Sequence, residues 1–370
     1  MGYVAVTGGQ KAIQAADLLN QWYRLKEATH ALDVADVEQQ MRHLIDRVIS
    51  EGGLYAPAYA AIAIKQAEGD PAEASFLLRA YRSTLERNYE SQIVDPGRMR
   101  VIRRISSTFK DIPGGQMLGP TTDYTHRLLN FNLRDEDVPK SLRAILRQLD
   151  ESNQSETDAP PTFGKVADLL RRQDLMTAPK NSGRLFDITR EKLTFPVPRS
   201  AKLQMLARGE TGAMTALAYS NMRSHIKTHP TIAELRVGYV ELTVTYPFDR
   251  DETLSIGEIM LTEVETINSF TLNEDGKPRF RLGYGLTFGQ NETKAIAMAI
   301  LEQSLEVEGT GPTHDEEFVL LHIDSIEANG FVSHLKLPHY ITFQSKLDVL
   351  RRAQQIAEQR EKQKSEKQGV

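Results

Sequence analysis

The spacing at which apolar residues recur changes near Arg236, and this change constrains the fold more than any other feature of the sequence. Between Asp33 and Ser50 the apolar residues fall on one face of a single predicted helix. From Val240 to Tyr246 they alternate with polar residues, which indicates a half-buried strand. The chain is therefore predicted to be an α+β protein, in which a helical N-terminal domain precedes a C-terminal domain of helices packed on a mostly antiparallel sheet.

Composition and the positions of glycine- and proline-containing segments divide the chain into four predicted segments. Residues 1–150 form a mainly helical N-terminal domain, and the polar, proline-bearing residues 151–162 form a flexible linker. Residues 163–345 contain a helical segment and the sheet, with further strands over 255–270 and 279–288. Residues 346–370 form a charged helical tail. Near the end of the third segment, a helix from Glu316 is expected to stop at Gly330.

Composition excludes several function classes. The 370 residues include no cysteine, so this chain has no disulfide, thiolate nucleophile or cysteine-held iron–sulfur cluster. Its net charge of −5 gives no general attraction to nucleic acid or to an anionic membrane. No long apolar run or signal-peptide pattern is present. We therefore expect a cytoplasmic protein without nucleic-acid or membrane partners.

Two glycine-rich segments are candidates for ligand binding. The first, from Lys110 to Arg127, has glycines for close backbone approach, basic groups and hydroxyls; it predicts a polyphosphate site, and a structured turn is the alternative. The second runs from Arg281 through a glycine-bearing strand to Asn291, a predicted helix cap, and indicates tight packing or a site. A third pattern, strand Tyr3–Val6 followed by a glycine pair, suits a phosphate or a plain turn.

Carboxylates and histidines supply further candidates. His314 precedes Asp315, Glu316 and Glu317, which indicates either a helix start that complements the dipole or a polar site for a developing positive charge. Glu258, Glu263 and Glu265 alternate along a predicted strand, so that one or more of them could face a cleft.

A histidine pair near the C-terminus has the spacing of zinc ligands. His334 and His339 are five residues apart, and Pro338 discourages a helix between them. Two ligands do not complete a zinc site, so a metal would take its other ligands from elsewhere. The alternative is that both histidines lie in a loop, make ordinary hydrogen bonds and bind no metal.

Several of these segments together resemble a known family. The chain is similar to the I-subunit family of the bacterial carbon–phosphorus lyase core complex, the ribose 1-methylphosphonate 5-triphosphate synthase subunit, from its first residues to about Phe343. The matching segments are YVAVTGGQKAI (3–13), FLLRAYRSTL (76–85), RRISSTFKDIPGGQMLGPTTDYTHRLL (103–129), ALAYS (216–220), GYGLTFG (283–289), TGPTHDEEFVL (310–320) and GFVSHLKLPHY (330–340).

The resemblance implies an activity and a set of partners. In this family a phosphonate such as methylphosphonate displaces the purine base of MgATP or MgGTP, and the isolated subunit is a nucleosidase. The subunit works with G, H and J subunits, and ABC-type K and L subunits join them. The resemblance also implies that His334 and His339 bind Zn²⁺ at the junction with the J subunit, which holds the iron–sulfur cluster and S-adenosylmethionine.

Residue types suggest how such chemistry would be divided. Breaking an N-glycosidic bond passes through an oxocarbenium-like state, so a site must hold the triphosphate, place a carboxylate near the sugar and protonate the base. The substrate-binding candidates are Lys110, Gly114, Gly115, Thr121, Arg127 and Arg281. The catalytic candidates are Asp315, Glu316 and Glu317 for the sugar and His314 or Asp123 for the base. Two alternative functions are possible from the sequence. The first is a non-catalytic scaffold that contributes zinc ligands at an interface, and the second is a stand-alone metal-dependent hydrolase.

Overall fold

A computed structural model of the chain describes residues 9–152, 163–177, 185–224, 229–272 and 276–368. Their contacts define two compact units. The larger unit spans Glu27–Ser325, and the smaller unit combines the N-terminal residues through Lys26 with the residues from Ile326 onward. The predicted boundary near residue 150 falls inside the larger unit. The predicted strand at 3–6 and nearly all of the predicted linker lie outside the described residues.

The larger unit contains more helical residues than strand residues. Its helices are α2 (Val34–Gln40), α3 (Arg42–Gly52), α4 (Pro57–Gln66), α5 (Pro71–Arg82), α6 (Val138–Ser152), α7 (Val166–Arg172), α8 (Arg199–Arg208), α9 (Thr211–Ser224), α10 (Glu292–Ser304) and α11 (Glu316–His322), after α1 (Gln10–Leu25) of the smaller unit. Asp33 caps α2 and Asp70 caps α5 through their side-chain carboxylates.

The single helix predicted from Asp33 to Ser50 is wrong. Met41 leaves the helical conformation, with φ −112° and ψ 39°, and separates α2 from α3. The break lets α2 pack on α4 while α3 packs on α5. Helix α3 then ends at Gly53, whose φ of 67° is a left-handed conformation that favours glycine.

The predicted antiparallel sheet is confirmed. In the described residues the sheet has four strands in the order β1-β2-β3-β4, and each pair of neighbours is antiparallel: β1 (Arg100–Ile105), β2 (Thr231–Thr245), β3 (Thr253–Leu272) and β4 (Pro278–Phe288). Strand β1 was not predicted, because its sequence RVIRRI carries three arginines. It pairs with β2, so the sheet includes a strand from the part predicted to be helical.

One face of the sheet packs against α10. Leu235, Val237 and Val264 are buried there against Ala295 and Ala299. Gly283 and Gly285 of β4 lie under this helix, and a β-carbon at either position would collide with a helix carbonyl oxygen, of Ala299 or Ala295 respectively. The glycines of β4 therefore serve helix–sheet packing.

The opposite face carries a buried network of charged side chains. Arg104 Nε lies 2.5 Å from Glu234, and Arg236 Nη2 lies 2.6 Å from Glu263. Lys165 Nζ lies 2.5 Å from the second oxygen of Glu263. Burial alone would raise the pKa of Glu263, but Arg236 and Lys165 outweigh it and hold that pKa below its usual value. Glu263 is thus a structural carboxylate in this network.

The helix predicted from Glu316 to Asn329 is also interrupted. Helix α11 ends at His322, and α12 (Ser325–Ser333) follows after Asp324, which forms an ion pair of 2.7 Å with Arg79. Gly330 lies inside α12, so the prediction that it ends a helix is wrong.

In the smaller unit, α12 leads into a 3-10 turn (His334–Lys336) and then α13 (Tyr340–Gln368), which covers the predicted charged tail through residue 368. Among the helices described, none has the length and apolar character needed to cross a membrane.

Candidate functional site

A cavity of about 550 Å³ lies beside the N-terminus of α10 in the larger unit. Three parts of the chain form its walls: the first two turns of α3, the loop 120–123, and the segment 290–294 that begins α10; Thr211 adds a hydroxyl. Arg42, Arg47 and Lys294 contribute positive charge to this pocket, and Asp123 and Glu292 contribute carboxylates. Such a mixture suits a phosphate-bearing ligand together with a cation.

Asp46 fixes the turn between β4 and α10. Its carboxylate accepts a hydrogen bond from the Gln290 N–H at 3.1 Å and fills the space where a side chain on Gly289 would lie. Gly289 has a φ of 68°, so the turn requires glycine for its conformation as well. Burial raises the pKa of Asp46. The N-terminus of α10 is therefore held against α3.

Asn291 occupies the N-cap position of α10 but does not cap the helix, contrary to the prediction. Its amide donates to the backbone carbonyls of Asp46 at 2.8 Å and Phe288 at 2.7 Å, and no side-chain capping bond is made. The first-turn N–H groups of α10 thus have no partner from a capping side chain, and they lie beside the pocket. Uncapped N–H groups and the helix dipole favour an anion at this position.

Arg103 anchors the 110–127 loop to α10. Its side chain is completely buried and donates to the Leu118 carbonyl and, at 2.5 Å, to Asp123. Its Nε lies 3.0 Å from Glu292. One guanidinium therefore holds the two carboxylates of the pocket, and Asp123 stays 44% exposed at its edge.

Gln290 ties the three walls together. It accepts a hydrogen bond from Arg42 Nη1 at 2.8 Å, and its amide donates to the Pro120 carbonyl at 3.2 Å and to Glu292 at 2.9 Å. These bonds orient Arg42 toward the pocket before any ligand arrives, which is the preorganisation that tight anion binding needs.

Lys294 lies fully buried behind the pocket and was not among the predicted site residues. Its Nζ donates to Ser50 Oγ at 2.7 Å. Burial is the main cause that lowers its pKa to about 7, and the charges of Arg79 and Arg47 add to this effect against the attraction of Glu51. Near neutral pH Lys294 can therefore exist in both protonation states, and an anion in the pocket would favour the charged one.

The predicted loop residues lie in different positions relative to the pocket. Thr121 and Asp123 line it. Arg127 is exposed and reaches Asp123 only at 3.4 Å, and Lys110 is exposed. Gly114 packs against the Phe163 ring, where a β-carbon would collide, and Gly115 adopts a φ of 71° in the turn. The pocket thus takes its basic groups from α3 and α10 rather than from the loop.

The other predicted residues lie away from the pocket lining. Arg281 donates to Thr271 at 3.0 Å and to the Glu306 carbonyl. His314 Nδ1 lies 2.8 Å from the Ser304 carbonyl oxygen. Asp315 caps α11 by accepting from Phe318 N–H at 2.9 Å. Glu316 accepts from the Val197 N–H and pairs with Lys202, and Glu317 is exposed. Within the described chain, local contacts thus account for four of these candidates, Arg281, His314, Asp315 and Glu316, while Glu317 is exposed.

The two C-terminal histidines, in the smaller unit, lie side by side. Their ring centroids are 5.1 Å apart with a 58° angle between the planes. The Nδ1 of His334 contacts the Phe331 carbonyl oxygen, and the Nδ1 of His339 lies 2.6 Å from the Leu337 carbonyl oxygen. When each Nδ1 donates its hydrogen to that carbonyl, both Nε2 atoms are free to bind a metal. No group of three or more metal-ligating side chains occurs in the described residues, so any metal bound by this pair would need further ligands from elsewhere.

The described residues thus form an α+β protein with a polar, basic pocket at a helix N-terminus and a pair of adjacent histidines near the C-terminus. Comparison with known proteins is more specific. The sequence profile described as bacterial phosphonate metabolism protein (PhnI) matches residues 2–357, and the chain belongs to this family.

Close relatives span nearly the whole chain. The α-D-ribose 1-methylphosphonate 5-triphosphate synthase subunit PhnI of Escherichia coli strain K12 is 45% identical, over 95% of this chain and 98% of the relative. The subunit of the same name from Rhizobium meliloti strain 1021 is 41% identical, over 95% and 94%. The protein HtxH of Stutzerimonas stutzeri is 51% identical, over 96% and 97%.

Proposed function

We propose that this chain is the subunit of a phosphonate-processing complex that displaces the purine base of MgATP or MgGTP with a phosphonate such as methylphosphonate. The product would be a ribose 1-phosphonate 5-triphosphate, the compound for which two relatives are named. Without partners, water would replace the phosphonate and the chain would act as a nucleosidase. The observation that carries this proposal is the pocket beside the uncapped N-terminus of α10.

The triphosphate is the part of the substrate that the pocket suits best. Arg42, Arg47 and the first-turn N–H groups of α10 offer charge and donors on one side of the cavity. Mg²⁺ enters with the nucleotide and needs only one or two protein carboxylates, for which Glu292 is suitably placed. The cavity of about 550 Å³ is of the size that holds a nucleotide-sized ligand.

The reaction needs charge of the opposite sign at the sugar. As the bond between C1′ and the base nitrogen breaks, its electron pair leaves with the base, and positive charge develops on the ribose. Asp123 is the partly exposed carboxylate of the pocket and would stabilise this charge, in place of Asp315, Glu316 and Glu317. His43, also in the pocket lining, would protonate the leaving base. A phosphonate oxygen then forms the new bond to C1′.

Zinc belongs to a different step and to the assembled complex. We propose that His334 and His339 bind Zn²⁺ through Nε2 and that a J subunit supplies the remaining ligands, with G, H, K and L subunits as the other partners. The exposed apolar side chains around the histidines support an interface, because Phe331, Tyr340 and Ile341 are 71%, 76% and 89% exposed.

A non-catalytic scaffold is the second candidate function. It is favoured by the structural contacts that residues 314–316 make. The purified full-length chain decides between the two functions when it is incubated with MgATP and the free adenine is measured by chromatography. Adenine release that falls in Arg42→Gln, but not in the matched exposed variant Arg24→Gln, supports the enzyme. Intact ATP after hours of incubation with folded chain supports the scaffold.

A further inference from the structure

A second cluster of arginines lies in the larger unit outside the pocket. Arg79 and Arg82 come from the end of α5, and Arg208 is the last residue of α8. The side chains of Arg82 and Arg208 both lie over Gly53, since a β-carbon built there would be 2.8 Å from Arg208 Cδ and 2.8 Å from Arg82 Nη1. None of the three arginines is part of the pocket lining.

The carboxylates nearby do not neutralise this cluster. Arg79 is paired with Asp324 at 2.7 Å and also donates to the Glu51 carbonyl at 2.7 Å. Asp187, the other acidic group, is paired with Arg87 at 2.8 Å. In the described part of the chain, Arg82 and Arg208 have no carboxylate within ion-pair distance, and Arg82 donates only to the Gly53 carbonyl at 3.2 Å. The cluster therefore carries an excess of about two positive charges.

Arg208 is the least satisfied member. Its Nε is buried and has no hydrogen-bond partner among the described residues. Burial, followed by repulsion from Arg79 and Arg82, lowers the pKa of Arg208 to about 10. A buried donor without an acceptor and an unneutralised charge are both unfavourable, and a single dianion would correct both.

We propose that Arg82 and Arg208, with Arg79 beside them, bind the tetrahedral oxyanion of a phosphate or phosphonate group. Such a group carries up to two negative charges and three or more acceptor oxygens, which match two unpaired forked guanidinium groups. Arg79 adds positive potential while it remains held by Asp324. The site is independent of base displacement, because the pocket that we assign to the nucleotide uses other residues.

The test is the thermal unfolding of the full-length chain in phosphate and in chloride at equal ionic strength, which separates specific binding from screening. At a phosphate concentration of 100 times Kd, we expect the melting temperature to rise by about 4 °C over chloride. Arg208→Gln should lose most of this rise, since only phosphate bound in the pocket beside α10 would still stabilise it, and in chloride it should melt no lower than the wild type, because the substitution relieves repulsion. Arg42→Gln, in the pocket, should keep most of the rise.

Three results would overturn the proposal: no phosphate-specific rise in the wild type, an equal rise in Arg208→Gln, or loss of the rise in Arg42→Gln alone. If Arg208→Gln does not fold, Arg82→Gln makes the same test, and Arg208→Lys should recover part of the rise. Methylphosphonate in place of phosphate shows which oxyanion is preferred, and stabilisation by either one that depends on Arg208 supports the site. Adenine release in the same variants tests the proposed function separately.

Discussion

Lys294 of α10 and Ser50 of α3 meet through a hydrogen bond of 2.7 Å inside the protein, where Lys294 is fully buried. This contact joins the two helices that form the pocket. It also places an amine with a pKa of about 7 directly behind the proposed triphosphate site. Through the charge of this amine, both the stability of the fold and its affinity for a ligand should depend on pH.

Lys294→Met should change the pH dependence of stability. The pKa of Lys294 is about 7 in the folded chain and about 10.5 when exposed, so between these values the unfolded chain binds more protons and stability rises with pH. As pH rises through this window, the free energy of unfolding of the wild type should increase relative to that of the variant by up to about 1.4 kcal/mol per pH unit. Denaturant unfolding at pH 7, 8 and 9 measures it, and a constant difference would contradict the pKa assignment.

Triphosphate affinity should depend on the same amine. Protonated Lys294 attracts the anion, so the affinity for MgATP should fall as pH rises above about 7, and less so in Lys294→Met. Calorimetric titration at pH 6.5 and 8.5 measures this. Identical pH dependence in wild type and variant would show that Lys294 does not sense the ligand.

Asp123→Asn should reduce the turnover of base release by about 10²–10³-fold, because a neutral amide cannot stabilise the positive charge on the sugar. The amide can keep the hydrogen bond from Arg103, so folding should be preserved. Glu317→Gln is the matched control, since Glu317 is an exposed member of the cluster that the sequence alone favoured. A larger loss in Glu317→Gln would reverse the assignment of the carboxylate.

His334→Ala and His339→Ala should each remove zinc from the complex assembled with its partner subunits, while adenine release by the isolated chain persists. The reason is that neither histidine lines the pocket, whereas both offer Nε2 to a metal. Metal analysis of the purified complex provides the measurement. Full zinc content in either variant would show that the substituted histidine is not a ligand.

Gly285→Ala should destabilise the chain by about 3 kcal/mol, because the added methyl group meets the Ala295 carbonyl oxygen under α10. Gly164→Ala is the control, since no atom lies within 4 Å of its β-carbon position. Urea unfolding of both variants gives the comparison. Equal stability would mean that α10 can move away from the sheet at little cost.

The sequence predicted the parts of the fold that follow from periodicity. The alternation of apolar and polar residues after Arg236 belongs to a strand of the antiparallel sheet, as predicted. Strand β1 was missed because buried arginines do not look like a strand: Arg103 and Arg104 are inside only because carboxylates distant in sequence receive them. Pattern reasoning has no access to such pairs.

The candidate site was predicted only in part, for a related reason. Thr121 and Asp123 stood out because their loop is rich in glycine and polar residues. Lys294 did not, since a lysine in a helix is usually solvated, and only the packing of α3 on α10 buries it. The residues from His314 to Glu317 were candidates because they resemble an acid–base cluster, but consecutive acidic residues also occur where a helix begins, as they do at α11.

Strand β1 also determines when the sheet can form during synthesis on the ribosome. Its partner strand follows far along the chain, and Arg104 finds Glu234 only 130 residues later. Until β2 leaves the exit tunnel, Arg104 lacks its internal carboxylate, although Arg103 can already reach Asp123, and closing so long a loop is slow. The nascent chain must therefore hold a positively charged, unpaired strand in solution for several seconds at ordinary rates of synthesis, about 5–20 residues per second. Chaperones that favour basic extended segments would meet this chain there.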